Sequence, residues 1–416
     1  MPGKGSLSDR WLILADDLSG AADAGVPFAR RGLVTEVRWR LAAEFPAAVD
    51  VVACDTDSRR LDSAAAAARQ REAIRKLWDP RIALYKKIDS TLRGQPAAEI
   101  AAIRAALGAA CRRVVFAPAN PAMGRSTRDG RVLVRGHPLE ATETWRREHS
   151  YPNADLGEML AGAGMRAIKL PLDVVREPPR LAAQLEVADA AASWICDAET
   201  DADLENIARA GLAREGTLFA GTAGLANALS RQMAPRRFTP LDLRPAQAGT
   251  LIVVGSLSEV SRAAAEEVAR LGHVRVHQVT SAMLRDPQRA GELARLGTQV
   301  AQALAGGEDV LVAIAPEPQP ELAAGPALVR ALAVALEPAR HSAGGLIATG
   351  GETASALLDG WYFHAIRLID EVAPGISLGV ALGERRLPLL TKPGSFGDAR
   401  SLVASLEAMR RLRARN

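Results

Sequence analysis

The chain has 416 residues, 48% hydrophobic and 24% charged, the proportions of a soluble globular protein too long for one ordinary core. Its 52 basic and 48 acidic residues are mixed throughout, leaving a net charge of +4, and only 4% of residues are aromatic. With no basic stripe and no interleaved aromatics, nucleic acid is excluded as the expected partner.

Strand-like runs alternate with helical patterns from end to end, which predicts parallel sheets with crossover helices. The first strands are Trp11–Ala15, Val34–Trp39, Val49–Cys54, Ile82–Lys87 and Arg113–Ala117, with helices at Ser63–Trp78 and Ala97–Ala110. Arg131–Val134, between Asp129-Gly130 and Gly136, breaks the alternation and reads as a hairpin or an excursion over the sheet edge. Ala167–Leu170, Ser193–Cys196 and Thr217–Ala220 follow as strands, and the proline-rich stretch from Ala234 to Pro245 reads as a linker. Beyond it the pattern restarts with strands Leu251–Val254, Val274–Val276, Val310–Ile314 and Leu346–Ala348. Helices are predicted at Val260–Leu271, Arg285–Ala305, Pro326–Leu336 and Ala399–Arg413. The expectation is an α/β protein of two domains, 1–240 and 241–416, with mainly parallel sheets flanked by helices and the active site in the cleft between the domains.

Cys54, Cys111 and Cys196 are far apart and lie in or beside apolar runs, so they read as buried thiols of a reducing compartment. The six histidines show no ligand spacing, and no metallohydrolase is expected. The early apolar run Trp11–Ala15 is broken at once by Asp16 and Asp17, and no later run approaches membrane-spanning length. A cytoplasmic location is expected.

The carboxyl ends of strands in α/β proteins open onto ligand crevices. Four such ends in the first half carry polar clusters: Asp16-Asp17-Leu18-Ser19-Gly20, Asp55-Thr56-Asp57-Ser58-Arg59, Lys86 to Gly94, and Asn120 to Arg125. Two adjacent carboxylates exceed what capping a helix needs, so Asp16 and Asp17 read as ligands of sugar hydroxyls or a metal, or as a base. An aspartyl phosphatase would want Asp-x-Asp there instead. Arg59, Arg93 and Arg125 each sit beside a small residue, and convergent arginines suit a carboxylate ligand.

The second half uses glycine and hydroxyls: Gly255-Ser256-Leu257-Ser258, Thr349-Gly350-Gly351-Glu352-Thr353 and Lys392-Pro393-Gly394-Ser395-Phe396-Gly397. Glycine admits backbone N–H groups to phosphate oxygens, and a helix N-terminus adds partial positive charge. None of these loops is a P-loop or a dinucleotide fingerprint. Together with one lysine they suggest a nucleotide phosphate site.

These segments, with Lys87-Ile88-Asp89-Ser90-Thr91-Leu92-Arg93-Gly94 the most specific, resemble the four-carbon acid sugar kinases, in the same order and over nearly the whole chain. The resemblance implies ATP- and Mg²⁺-dependent phosphorylation of the terminal hydroxyl of threonate, erythronate or a 3-oxo-tetronate. Asp16, Asp17 and Asp89 would be catalytic, and Ser58, Arg59, Lys87, Ser90, Arg93, Asn120 and Arg125 would bind substrate. Ser256, Ser258, Gly350, Gly351, Glu352, Thr353, Lys392, Gly394 and Gly397 would bind ATP. The metal ligands and the base stay open, with Asp16 the preferred base, and homodimerisation is left open. Asn120 and Ser19 stand where the family more usually has Phe and Thr, so the resemblance leaves the preferred acid open. The competing readings are a non-catalytic acid-sugar or nucleotide sensor and a dinucleotide-dependent oxidoreductase.

Overall fold

The structure is a computed structural model that describes residues 10–42, 44–186, 192–238, 247–256, 258–316, 325–394 and 396–414. The chain divides into two compact units, Met1–Thr239 and Pro240–Asn416. Thr239 to Pro245, the later part of the expected linker, lies outside the described residues, as do Leu257 and Ser395.

The strands of the first unit are β1 (Trp11–Ala15), β2 (Thr35–Arg38), β3 (Val51–Asp55), β4 (Ala83–Lys87), β5 (Arg113–Ala117), β6 (Arg125–Arg128), β7 (Arg131–Val134), β8 (His137–Pro138), β9 (Arg166–Leu170), β10 (Ala192–Cys196) and β11 (Thr217–Gly221). The order β2-β3-β1-β4-β11-β5-β10-β9 makes one sheet in which every neighbouring pair is parallel. Each position of β1, β3, β5 and β10 is buried. That explains their continuous apolar runs, because a parallel sheet is covered by helices on both faces. Leu12, Leu14, Val52, Ile100, Val114 and Phe116 belong to one shared core. The central strand β1 has β3 on one side and β4 on the other, so the winding reverses there. A reversal of this kind places a crevice at the strands' carboxyl ends.

The expected hairpin is the middle of a small antiparallel sheet, β6-β7-β8. The helix expected over Ala97–Ala110 spans Pro96–Leu107 and gives way at Gly108 to a 3₁₀ turn.

The second unit contains β12 (Thr250–Val254), β13 (Val274–Val279), β14 (Asp309–Ile314), β15 (Gly345–Thr349), β16 (Ala365–Ala373), β17 (Ile376–Leu382) and β18 (Arg386–Lys392). They form the order β13-β14-β12-β15-β18-β17-β16, parallel as far as β18 and antiparallel beyond it. The β16–β18 meander was not expected. Register shifts at Leu368/Asp370 and Glu371/Ala373 disrupt its alternation, and Pro388 interrupts the last strand's propensity. The helix expected over Arg285–Ala305 is two helices, Ser281–Arg285 and Ala290–Ala305. Pro287 lacks an N–H and disfavours helical backbone at Asp286, so it separates them.

Candidate functional site

In the first unit, the ends of β1, β3 and β4 bring five of the expected residues into one ionic cluster. The Arg59 guanidinium donates from Nε to Asp16 Oδ2 and from Nη2 to Asp16 Oδ1, both at 2.8 Å. It also donates from Nη1 to Asp17 Oδ2 at 2.8 Å and from Nη2 to Asp17 Oδ1 at 3.0 Å. Asp89 Oδ1 lies 3.8 Å from Arg59 Nη2 and accepts a 2.8 Å bond from Arg93 Nη2, while Arg93 Nε donates to Asp89 Oδ2 at 3.0 Å. Thr91 adds its hydroxyl and its N–H to Asp89 Oδ2. Burial alone would raise both carboxyls. The guanidiniums outweigh it: Arg93 and Arg59 hold Asp89 well below the usual carboxylate range, and Arg59, helped by Lys86, lowers Asp16. Asp17 also caps the helix Leu18–Arg30 through Gly20 N.

The backbone is shaped around this cluster. Gly94 has φ 78°, and a Cβ there would lie 2.9 Å from Asp16 Oδ2. Lys87 Nζ donates to Ile88 O at 3.0 Å, with Asp23 at 3.7 Å, and Ser90 is buried in the same loop. At the end of β5, Asn120 and Arg125 exchange backbone hydrogen bonds of 2.9 and 3.0 Å. The Arg125 side chain donates to Met123 O and has no carboxylate within bonding distance among the described residues. Burial depresses its charge, and Asp89 opposes that.

The second unit has a different chemistry. β12, β15 and β18 are adjacent and parallel, so their three polar loops leave the same edge. Gly350, at φ 93°, donates its N–H to Lys392 O at 2.7 Å and opens the helix Gly351–Gly360 with no side-chain cap. Glu352 lies in the first turn of that helix, and Thr353 is buried behind it. Gly394 O accepts from Ser258 Oγ at 2.5 Å and from Ser261 Oγ at 2.7 Å, and a Cβ on Gly394 would collide with Ser256. The fully buried Lys392 ammonium reaches Pro393 O at 3.2 Å, Gly394 O at 3.4 Å and Ser261 Oγ at 3.5 Å, all neutral groups. Burial lowers its pKa to about 8, with Asp398 partly opposing. Gly397 turns the chain against Ser401, whose hydroxyl bonds Asp398.

Residues 11–229 match the family model described as a sugar-binding N-terminal domain, and residues 251–402 match a nucleotide-binding C-terminal domain. The chain is 38% identical over 415 residues to the D-threonate kinase of Cupriavidus necator H16, covering 97% of this chain and 99% of that protein. The chain belongs to the four-carbon acid sugar kinase family. The D-threonate kinase of Bordetella bronchiseptica RB50 is 33% identical, covering 96% of this chain and 98% of its own length. A solved structure from Salmonella typhimurium LT2 shares the fold, with a TM-score of 0.78 at 20% identity over 95% of this chain and 98% of that one.

Within this acid sugar kinase, three residues expected at the substrate, Ser58, Arg59 and Arg93, have side-chain partners of their own, Arg93 through Asp89. Ser58 is fully buried, and its hydroxyl bonds Glu99 and Thr56. Arg59 is committed to Asp16 and Asp17 rather than open to a ligand carboxylate. Sequence reasoning missed the buried group beneath them: Glu99 with Lys86, Ser58, Gln70 and Thr56. Its signal was a glutamate on the apolar face of a helix, between Pro96 and the buried Ile100 and Ile103. The end of β11 was missed too, where Thr222 Oγ1 donates to Ala119 O at 2.7 Å and steadies the Asn120 loop. Ser261 was missed in the second unit. It lies one helical turn beyond Ser258, within reach of the same carbonyl.

Proposed function

We propose that this chain is an ATP-dependent kinase that phosphorylates the terminal hydroxyl of D-threonate. The observation that carries the reading is the pairing of two chemistries in one chain. One unit presents pre-arranged carboxylates and guanidiniums for a hydroxylated acid. The other buries one lysine among neutral acceptors beside an uncapped helix start. The near full-length identity to D-threonate kinases supports D-threonate over other four-carbon acids.

Asp16 and Asp89, held low by their guanidiniums, stay ionised, and with Asp17 they act as acceptors that orient the substrate hydroxyls. Phosphoryl transfer depends chiefly on positioning and charge neutralisation, so a strongly held carboxylate suits the task better than a free strong base would. Arg125, without a carboxylate partner among the described residues, and Lys87 take the substrate carboxylate, with Asn120 and Ser90 lining the same loops. Arg59 and Arg93 hold the aspartates in place.

The nucleotide phosphates fit the second unit because an N-terminus without a side-chain cap and a buried ammonium both favour an anion. Gly350, Gly351, Ser256, Ser258, Gly394 and Lys392 would hold them. Among the described residues, no three His, Cys, Asp or Glu side chains gather as a metal cage. Mg²⁺ would be carried mainly on the phosphates, as it commonly is, and would neutralise their charge.

The test is ADP release by the purified chain with Mg-ATP against a panel of C3 to C6 sugar acids. Turnover with D-threonate well above D-erythronate and 3-oxo-tetronate is expected. Turnover confined to another acid overturns the substrate assignment. Binding of both ligands without ADP release overturns the kinase and favours a sensor.

A further inference from the structure

Glu99 lies 1% exposed in the first turn of the helix Pro96–Leu107, yet both its oxygens are occupied. Oε2 faces the fully buried Lys86 Nζ at 2.8 Å. Oε1 accepts from Ser58 Oγ and, at 2.8 Å, from Gln70 Nε2. Gln70 also donates to Thr56 Oγ1 at 2.9 Å, and Thr56 Oγ1 donates to Ala15 O at 2.8 Å. The loop Thr56–Arg59 is thus tied from below by side chains. From beside, Ser58 N and Arg59 N both donate to Asp16 O, at 3.1 and 3.2 Å.

A buried ion pair is weak evidence for stability, because desolvation offsets much of the attraction. What this pair does supply is a fixed position for Ser58, and the next residue is the guanidinium that clamps Asp16 and Asp17. Resting on the kinase reading above, we propose that Glu99, acting through Ser58 and Lys86, is a positioning residue for the Arg59–Asp16–Asp17 clamp. It sets the geometry in which the aspartates meet the substrate hydroxyls without itself touching substrate. Lys86 joins the two layers: it neutralises Glu99 and adds a second positive charge behind Asp16.

The consequence is testable as a pH effect. Burial opposes the ionised form of Asp16; Arg59 and Lys86 face it and favour that form, Asp89 faces it and opposes that form, and Asp17 and Asp55 lie beside it. When Ser58 loses its anchor, Arg59 loosens and Asp16 takes up its proton at a higher pH.

The experiment compares the full-length wild type with Ser58→Ala and with the double variant Lys86→Met/Glu99→Gln, which removes both buried charges together. Each is assayed with Mg-ATP and the acid that the wild type turns over, and its folded fraction is fixed by thermal melting. Both variants are expected to lose roughly tenfold to hundredfold in kcat, the scale of a small misplacement of reacting groups. The KM for ATP is expected to stay unchanged, and the acid limb of the pH–rate profile to move to higher pH. A merely structural role would lower the melting temperature and leave kcat per folded molecule and the pH profile at wild-type values, which overturns the inference alone. A wild type that turns over no acid overturns the kinase reading and this inference with it.

Discussion

Both units place polar loops at the carboxyl edge of adjacent parallel strands, but they arrange opposite kinds of chemistry there. In the first, Asp16, Asp17 and Asp89 are matched by Arg59 and Arg93, so donors and acceptors already satisfy one another. In the second, Lys392, Ser258 and Ser261 converge on the carbonyl of Gly394 without a carboxylate at bonding distance among the described residues. A hydroxylated ligand both donates and accepts, so it is best met by a pre-ordered mixture of the two. A phosphate only accepts, so it is best met by donors left without an anion. A strand edge of this kind can carry either set of side chains, because side-chain choice, not topology, sets the sign of a site.

The largest expected effect comes from removing the unmatched cation. Lys392→Met should lower kcat/KM for ATP by roughly 10²–10³-fold, on the scale of losing one preorganised electrostatic contact. Affinity for the sugar acid should be retained. Because a buried ammonium with no carboxylate in bonding range among the described residues costs stability, the variant should melt no lower than the wild type. The pH dependence has a definite sign. The lysine's pKa falls from 10.5 to about 8 in the folded chain, so between these values only the unfolded state keeps the proton. Stability should rise with pH across that window, while the KM for ATP should rise above about pH 8. A melting temperature that drops by many degrees in Lys392→Met would show the lysine to be structural.

Arg125→Ala sharpens the comparison from the other side. Arg125 is the arginine of the first unit's expected set that has no carboxylate partner in bonding range among the described residues, so it should resemble Lys392 in function. Its truncation should cost about 2–5 kcal/mol of sugar-acid binding or transition-state stabilisation and leave the KM for ATP unchanged. Unchanged kinetics would move the substrate carboxylate to Lys87.

Gly94→Ala tests whether the aspartate cluster depends on close backbone approach. The residue has φ 78° and a Cβ would sit 2.9 Å from Asp16 Oδ2, whereas Gly136 has φ 81° with nothing within 4 Å. Both alanine variants should lose about 1–3 kcal/mol by denaturant unfolding, from backbone strain alone. Only Gly94→Ala should also raise the KM for the sugar acid. Equal kinetics in the two variants would separate that cluster from the substrate.

Much of this arrangement was legible in the sequence. Buried parallel strands read as unbroken apolar runs, and polar residues right after them marked the carboxyl edge where the ionic cluster gathers, as at Ala15-Asp16-Asp17 and Lys87-Ile88-Asp89. What the sequence did not disclose was partner choice. Arg59 and Arg125 look alike in a string of letters, yet one is enclosed by two aspartates 42 and 43 residues away and the other bonds a backbone carbonyl. Glu99 carried a weak signal, because a lone glutamate on an apolar helix face gives no hint of the lysine it meets across the fold. The β16–β18 meander was hidden by register shifts that spoil the period-2 pattern.

Asp55 carries the smallest effect and the finest test of the charge-matched unit. It ends β3 beside Asp16 and Asp17 but has no arginine in bonding range among the described residues, and its Oδ1 accepts from Asp57 N at 2.7 Å. Burial, followed by the nearby Asp17, raises its pKa well above the usual carboxylate range, opposite to Asp16 and Asp89. For an acid whose folded pKa is raised, the stability contribution is full below the unfolded pKa near 4 and is lost as pH rises through the folded one. Asp55→Asn keeps the oxygen that accepts from Asp57 and removes the charge that must otherwise be suppressed or tolerated. It should raise stability at pH 7 by about 1 kcal/mol and flatten the decline in unfolding free energy above pH 4. Asp16→Asn, which strips Arg59 of a matched partner, should do the reverse. If both substitutions destabilise alike, Asp55 has a counter-charge after all, and the division between matched and unmatched carboxylates in this unit fails.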